Sequence, residues 1–522
     1  MPKTLAIAAA VIFFLASTAV LAGPGSSEAT TYYVSSASGD DTGPGTSAEA
    51  PWRTLERVQA AELGSGDRVL FKGGESFPGT LTLSGVAGTP EARVVLSSYG
   101  AGRATIDAGH GSGFVLRDCD SVTVEQLDFV GSGRKVNGDG SGVRIEGGAN
   151  NAIDAIDASG FRRAGISTGG DENTRITNVR VHHNGFAGIT VQGKAGDLPF
   201  TRNLYIGHSV AHDNPGDPTN TTNHSGNGIV VGGVKGGLIE YCEAYNNGWD
   251  MPRQGNGPVG IWGYFCDRLV IQHNVAHHNK TSKGGHDGGG FDLDGGATNS
   301  ILQYNLSYAN QGTGYLLCQY PGAATWKDNV CRYNISIDDG RTNHFNGIHF
   351  WAGGEGISDA LIYNNLIVNS RHAVVSTHDI KGLVFRNNIL VAGDAVVVGP
   401  LLDARFEGNL YLSRQDAPFV VRPDREYQTL EEWAEATGQE IIDGRQVGRV
   451  ADPRVVWPVD LRDLPTDPRA LGDMIFYKLI SDSPAVGTAL PIEDHGGLDF
   501  WGNPVPADGP RNIGPFEGAH RP

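Results

Sequence analysis

From residue 142 onward, apolar and polar positions alternate in short bursts that each begin on a glycine: GVRIEG at 142, GISTGG at 165, GITVQG at 188, GIVVGG at 228, GIWGYF at 260, GFDLDG at 290, GYLLCQ at 314 and GIHFWA at 347. A period of two is the mark of a strand whose side chains point to opposite faces. The first three bursts start 23 residues apart, and the later intervals are 40, 32, 30, 24 and 33 residues. A second alternating burst ending on Asn precedes most of them, as in LVIQHNVAHHN (269–279), ILQYNLSYAN (301–310) and LIYNNLIVN (361–369). Such a pattern predicts a solenoid in which each turn buries its apolar face only against its neighbours. The shortest interval suits one turn of a parallel β-helix; a leucine-rich repeat would need a leucine frame, and Val, Ile and Gly stand there instead. Asn274, Asn305 and Asn334 share one phase, so their amides are expected to hydrogen-bond up the stack. Cys242 holds that phase one turn earlier and is expected to be a buried structural thiol.

The ends of the chain carry different signals. Residues 1–22, MPKTLAIAAAVIFFLASTAVLA, read as a secretory signal peptide with a basic start, an apolar run and a small-residue cleavage site. Export to the periplasm or the medium is the expectation, with no membrane span once the signal is removed. WRTLERVQAAEL (52–63) has apolar residues at helical spacing and predicts a helix capping the open end of the first turn. The repeat, together with TYYVSSASGDDTGPGTSAEAPWRTLERV (31–58), GDRVLFKGG (66–74) and the closing SPAVGTALP, DFWGNPVP and NIGPFEG phrases (483–518), resembles secreted right-handed parallel β-helix proteins of the pectate-lyase-like superfamily. The resemblance implies an all-β fold with the solenoid over 30–410 and a region 411–522 packed back on it, where YQTLEEWAEATG (427–438) is the one clear helix.

Charge and cysteine content narrow the partners. A formal net charge of −18 argues against a phosphate-binding surface, so no nucleic-acid partner is expected. The five cysteines show no CxxC spacing and indicate neither a zinc ribbon nor a disulfide framework. A monomer acting on a polysaccharide or oligosaccharide is the expectation.

The stretch GGHDGGGFDLDGG (284–296) interrupts the apolar pattern with acid. In a strand Phe291 and Leu293 point into the core, and Asp292 and Asp294 point out together with Cα atoms roughly 6.5 to 7 Å apart. Paired carboxylates near that separation serve glycosidic hydrolysis, one as acid and the other as nucleophile or base. Asp287, just ahead of the strand, is the third candidate catalytic carboxylate. Aligned on the glycine, the Asp292 column reads Val230, Trp262, Asp292, Leu316, His349, and the Asp294 column reads Gly232, Tyr264, Asp294, Cys318, Trp351. Trp262, Tyr264, His349 and Trp351, with His286 on the loop, are therefore the expected substrate-binding residues, the aromatic ones as exposed platforms for sugar rings. The insertions at 214–225, 249–256 and 280–288 all fall between the Asn corner and the glycine strand, which predicts one wall of a groove along this face.

Two other readings compete. A polysaccharide lyase would use a Lys or Arg base, often with calcium, to eliminate across a uronate; Lys280, Lys283 and Arg253 are at hand in the loops. Family nine pectate lyases, which the chain resembles in fold, carry their lysine in a Gly-Phe-Lys-Leu-Gly strand, and Asp292 occupies that place here. No cofactor is expected for the hydrolase, and calcium bound by the aspartates is the alternative. A noncatalytic glycan-binding adhesin would use the aromatic groove alone.

Overall fold

The computed structural model describes residues 28–136, 138–194, 199–377, 380–400, 403–413 and 417–518; the segment read as an export signal lies outside them. Three long sheets of sixteen, fourteen and fourteen strands run along the described chain, and nearly all of their pairings are parallel between one turn and the next. The register keeps like positions above one another: Ile229 faces Ile261, which faces Phe291, then Tyr315, then Ile348. These residues form one continuous core, and the Phe291 and Tyr315 rings stack at 5.3 Å. The alternation of the sequence has become a parallel β-helix. Among the described residues no helix is long and apolar enough to cross a membrane.

Polar ladders hold the corners. Asn274 Nδ2 donates to Asn305 Oδ1 at 3.0 Å, Asn305 to Asn334 at 3.1 Å and Asn334 to Asn365 at 3.1 Å. The series continues through Asn388 and Asn409 to the Glu440 carboxylate. Cys242, at the same phase, is fully buried and donates its backbone N–H to Asn274 Oδ1 at 2.8 Å. A second ladder runs Asn184, Asn214, Asn247, Asn279, Asn310 and ends on Asp339. The residue before each rung of the second ladder turns the chain in the left-handed region, with φ of 48° at Asp213, 53° at Asn246, 54° at His278 and 57° at Ala309. Non-glycine residues pay about 1 kcal/mol or more for that conformation. The buried amide behind each corner offsets it by satisfying backbone groups that the turn leaves open.

The ends close differently from the expectation. The N-terminal cap is a helix of only five residues, Leu55–Gln59, started by the Thr54 hydroxyl on the Arg57 N–H and burying Leu55 and Val58. The solenoid does not stop at 410: Val420–Val421 adds a parallel rung to Val397–Val398, and Arg449–Val450 adds one to Leu410–Ser413. The tail helix, Leu430–Thr437, belongs to the solenoid core; its Trp433 packs on Phe406 at 5.2 Å and on Phe419 at 6.1 Å, plugging the far end. The remaining tail lies along the outside of one sheet, where Leu479, Phe500, Trp501 and Ile513 cover Leu306, Ile335, Leu366 and Ile389.

Asn305 is the rung whose loss is expected to be felt most, since its side chain makes hydrogen bonds to Asn274, Asn334 and the Ile271 carbonyl. Asn305→Ala is expected to lower unfolding free energy by about 3 kcal/mol, at roughly 1–3 kcal/mol per buried polar group left unpaired. Denaturant titration checks it; a loss below about 1 kcal/mol would show that the ladder is dispensable at this turn.

Candidate active site

The acidic strand, Gly289–Leu293, lies between the Val259–Tyr264 and Tyr315–Gln319 strands. Its register sets Trp262 beside Asp292, Asp292 beside Leu316, and Leu316 beside His349, the column read from the sequence. Gly290, the second residue of the strand, sits where a side chain has no room: a Cβ there would stand 2.2 Å from Ser307 Oγ. The strand ends at Leu293, so Asp294 sits just beyond it, yet its N–H still donates to the Gly263 carbonyl at 2.8 Å and keeps it next to Tyr264.

Loops build a chamber over this face. The segments 214–225, 249–256 and 280–288 contribute Asn223, His224, Arg253, His286 and Asp287 to a cavity of about 720 Å³, floored by Asp292 and Asp294. A fourth insertion between corner and strand, 340–345, adds His344. Tyr320, Cys318 and Trp351 complete the other side. All three candidate aspartates thus face one space.

The carboxylates differ in what surrounds them. Asp292 is only 3% exposed, and its Oδ1 has no hydrogen-bond partner. Burial, followed by the charges of Asp294 and Asp287, pushes its carboxyl well above the usual carboxylate range. Burial also raises Asp294, but the Cys318 thiol and the Gly295 N–H, at 2.7 Å, stabilise its ionised form and leave it at about 6. Asp287 is half-buried with φ of 59° and accepts the Gly257 N–H on Oδ2 at 2.7 Å. Burial raises its carboxyl, and the neighbouring His344 and His286 act against that rise. The His344 ring packs edge-on against His349 at 4.5 Å, and burial lowers its pKa.

Several expectations need correction. The two outward aspartates do not lie on an open face, because the loops roof it. Trp262 is 4% exposed and is no open platform: its indole N–H donates to Asn227 Oδ1 at 3.1 Å, and its ring packs on His224 at 4.9 Å. His349 is likewise buried, held on Asn346 Nδ2 at 3.4 Å. Tyr264 and Trp351 are half-buried cavity walls, and His286 stands exposed at the rim. Of the loop cations, Arg253 lines the cavity while Lys280 and Lys283 do not. Sequence reasoning missed His224 and His344. His224 ends a loop already singled out, and the 33-residue interval before the Gly347 strand was the available signal for His344. The five cysteines are all free.

Among the described residues no three His, Cys, Asp or Glu side chains converge as metal ligands, and Asp287 and Asp294 each spend an oxygen on a backbone N–H.

Raised carboxylate pKa values make the site costly to the fold as pH rises. The unfolded chain ionises these groups near 3.8 and the folded site resists, so stability present below that pH is lost for Asp294 as pH climbs to about 6, and for Asp292 over a range extending higher. Asp292→Asn is therefore expected to melt above the wild type at pH 8, with the difference shrinking toward pH 4. Calorimetric scans at the two pH values check the sign; an equal gap at both refutes a neutralised Asp292.

The family model described as Pel9A-like, right handed beta helix region matches residues 32–346. A lacto-N-biosidase of Bifidobacterium longum subsp. longum is 24% identical over 473 residues, covering 70% of this chain and 29% of that protein. Pectate lyase L of Paenibacillus polymyxa is 26% identical over 312 residues, covering 55% of this chain and 62% of that protein. The chain therefore spans less than two thirds of either relative. A solved structure of a GH136 lacto-N-biosidase from Eubacterium ramulus aligns at 18% identity with a TM-score of 0.49, covering 81% of this chain and 66% of that one.

Proposed function

The chain belongs to the Pel9A-like right-handed β-helix family, and from that premise we propose that it is a carbohydrate-active enzyme, a glycoside hydrolase using paired aspartates. The observation that carries this reading is the unequal solvation of the three carboxylates in one cavity. Asp287 and Asp294 are the two that keep partial exposure, while Asp292 lies beneath at 3%. The pair that meets the substrate is then Asp287 and Asp294. Asp294, with two donors favouring its charge, is the nucleophile or general base above about pH 6. Asp287, whose carboxyl burial raises, is the proposed acid toward the leaving oxygen. Asp292, buried in the floor, supports the pair from beneath. The stretch of similarity to a lacto-N-biosidase supports hydrolysis.

The lyase reading has its support in the match to pectate lyase L. Proton abstraction beside a uronate needs that carboxylate neutralised, and a chamber holding three aspartates against one lining cation, Arg253, repels it. The strand position where the resembling lyases carry lysine is Asp292.

Three substitutions separate the roles. Asp287→Asn and Asp294→Asn are each expected to cost about 10³-fold in kcat/KM while the protein stays folded, within the roughly 10²–10⁴ of a lost acid or base. Asp292→Asn, which resembles a neutral carboxylic acid in shape, is expected to stay within about tenfold. The assay is a panel of polysaccharides and oligosaccharides read both by new reducing ends and by ultraviolet absorbance. Loss of turnover in Asp292→Asn as deep as in Asp294→Asn would make Asp292 the acid, and unsaturated products would overturn hydrolysis.

Chelator is expected to leave turnover unchanged. Inactivation by chelator that calcium alone reverses would move the assignment to a lyase. Below about pH 6, kcat/KM is expected to fall about tenfold per pH unit as Asp294 takes up its proton; a flat acid limb would remove Asp294 from the base role.

A further inference from the structure

The loop 249–256, which lines one side of the cavity, ends on Asn256, and Gly257 follows it. An asparagine before a glycine is open to attack by its own chain. The next backbone nitrogen reaches the side-chain carbonyl carbon through a five-membered ring, and no Cβ stands in the way. Glycine is required at 257 for a separate reason: a Cβ there would stand 2.1 Å from the His286 carbonyl oxygen and 2.8 Å from Thr281 Oγ1. Packing therefore keeps the vulnerable pair in place.

Asn256 differs from the other Asn–Gly pairs among the described residues. Asn184, Asn227, Asn247 and Asn346 are fully buried, and each amide is committed: to Asn214 at 3.2 Å, the Phe186 carbonyl at 3.0 Å, Asn279 at 2.9 Å and the His344 carbonyl at 2.7 Å. Of the glycines that follow them, Gly185 and Gly248 give their N–H to backbone carbonyls at 2.8 Å, which cannot take a proton, and Gly228 and Gly347 lie inside strands. Asn256 is exposed, lies outside any helix or strand, and its amide makes no hydrogen bond among the described residues. Its flanks are held. Gly255 accepts the His286 N–H at 3.0 Å, and the Gly257 N–H donates to Asp287 Oδ2 at 2.7 Å. A carboxylate at that distance from a proton is placed as a general base. His344 and His286 favour the charged form of Asp287 against its burial.

We infer that Asn256 is a self-modification site, at which Asp287 drives cyclisation onto the Gly257 nitrogen and deamidation of the asparagine. The Gly257 nitrogen bonds to Asn256 Cγ as its proton passes to Asp287 Oδ2. The tetrahedral carbon then expels the amide nitrogen, which takes that proton and leaves as ammonia. Solvent water opens the succinimide at either carbonyl, giving aspartate or isoaspartate at 256, and nothing is oxidised or reduced. The base is the ionised form of Asp287, the form left whenever the acid has given up its proton; the step goes beyond the saccharide reading and does not depend on it. Cyclisation removes the N–H that Asp287 accepts, and the product adds a carboxyl group to a cavity that already holds three.

The test is peptide mass mapping of the full chain after incubation in heavy-oxygen water, so that label marks each asparagine opened by solvent and the Asn–Gly pairs are compared within one molecule. Asn256 is expected to gain label at least about tenfold faster than the four buried pairs. Asp287→Asn keeps an acceptor oxygen but no basicity, and is expected to slow labelling of Asn256 about tenfold, the low side of what a positioned base supplies. In denaturant, which breaks the contact with Asp287, Asn256 is expected to fall to the common rate of the other pairs; this comparison serves if the Asp287 variant does not fold. No label at Asn256 in the folded chain, a rate no higher than in denaturant, or a rate that Asp287→Asn leaves unchanged each overturns the proposal. None of these readouts involves turnover, so the hydrolase reading is tested separately.

Discussion

Buried amides at the corners are the interaction on which the rest of this molecule depends. Asn279 shows the arrangement: its Nδ2 donates to the Ala244 carbonyl at 3.0 Å and to Asn310 Oδ1 at 2.9 Å, while its Oδ1 accepts from the backbone and side chain of Asn247. Each amide thus ties three successive turns and satisfies backbone groups that a corner cannot pair within a sheet. A sheet twist or slip by one residue would break every rung at once. Because the ladder fixes register, the column of side chains on the outer face is fixed as well.

That constraint is what lets the protein hold carboxylates in a poor dielectric. Loops inserted between a ladder Asn and the following glycine strand leave the rung geometry untouched, so chain can be added at that edge without disturbing the core. Four such insertions meet over Asp292 and Asp294 and limit the solvent that reaches them. Desolvation raises the carboxylates, and the Gly295 N–H and the Cys318 thiol hold the rise of Asp294 to about 6. The stability given up there is borne by a long solenoid whose nearest-neighbour contacts repeat many times. Acid and base are separated by environment, since the residue type is the same.

Much of the architecture was legible from local pattern. The glycine-led alternation set the rungs, the Asn phase set one ladder, and the columns through Trp262, Asp292 and His349 follow from register alone, because side chains in a parallel stack repeat with the backbone. Cys242 was legible for the same reason. What local pattern did not carry was solvation. Trp262 reads as an outward aromatic in its strand and is buried because His224 arrives from a loop and Asn227 offers its indole an acceptor. His344 and the closure over Asp292 come from segments without periodicity, whose paths depend on one another. The tail helix was legible as a helix, and its place as a plug was not, since the apolar face of Trp433 and Leu430 fits any open core end. Sequence by itself determined which residues share a face, through the two-residue period of the strand; only the tertiary structure decided which of them see water, because burial is set by what distant loops bring over them.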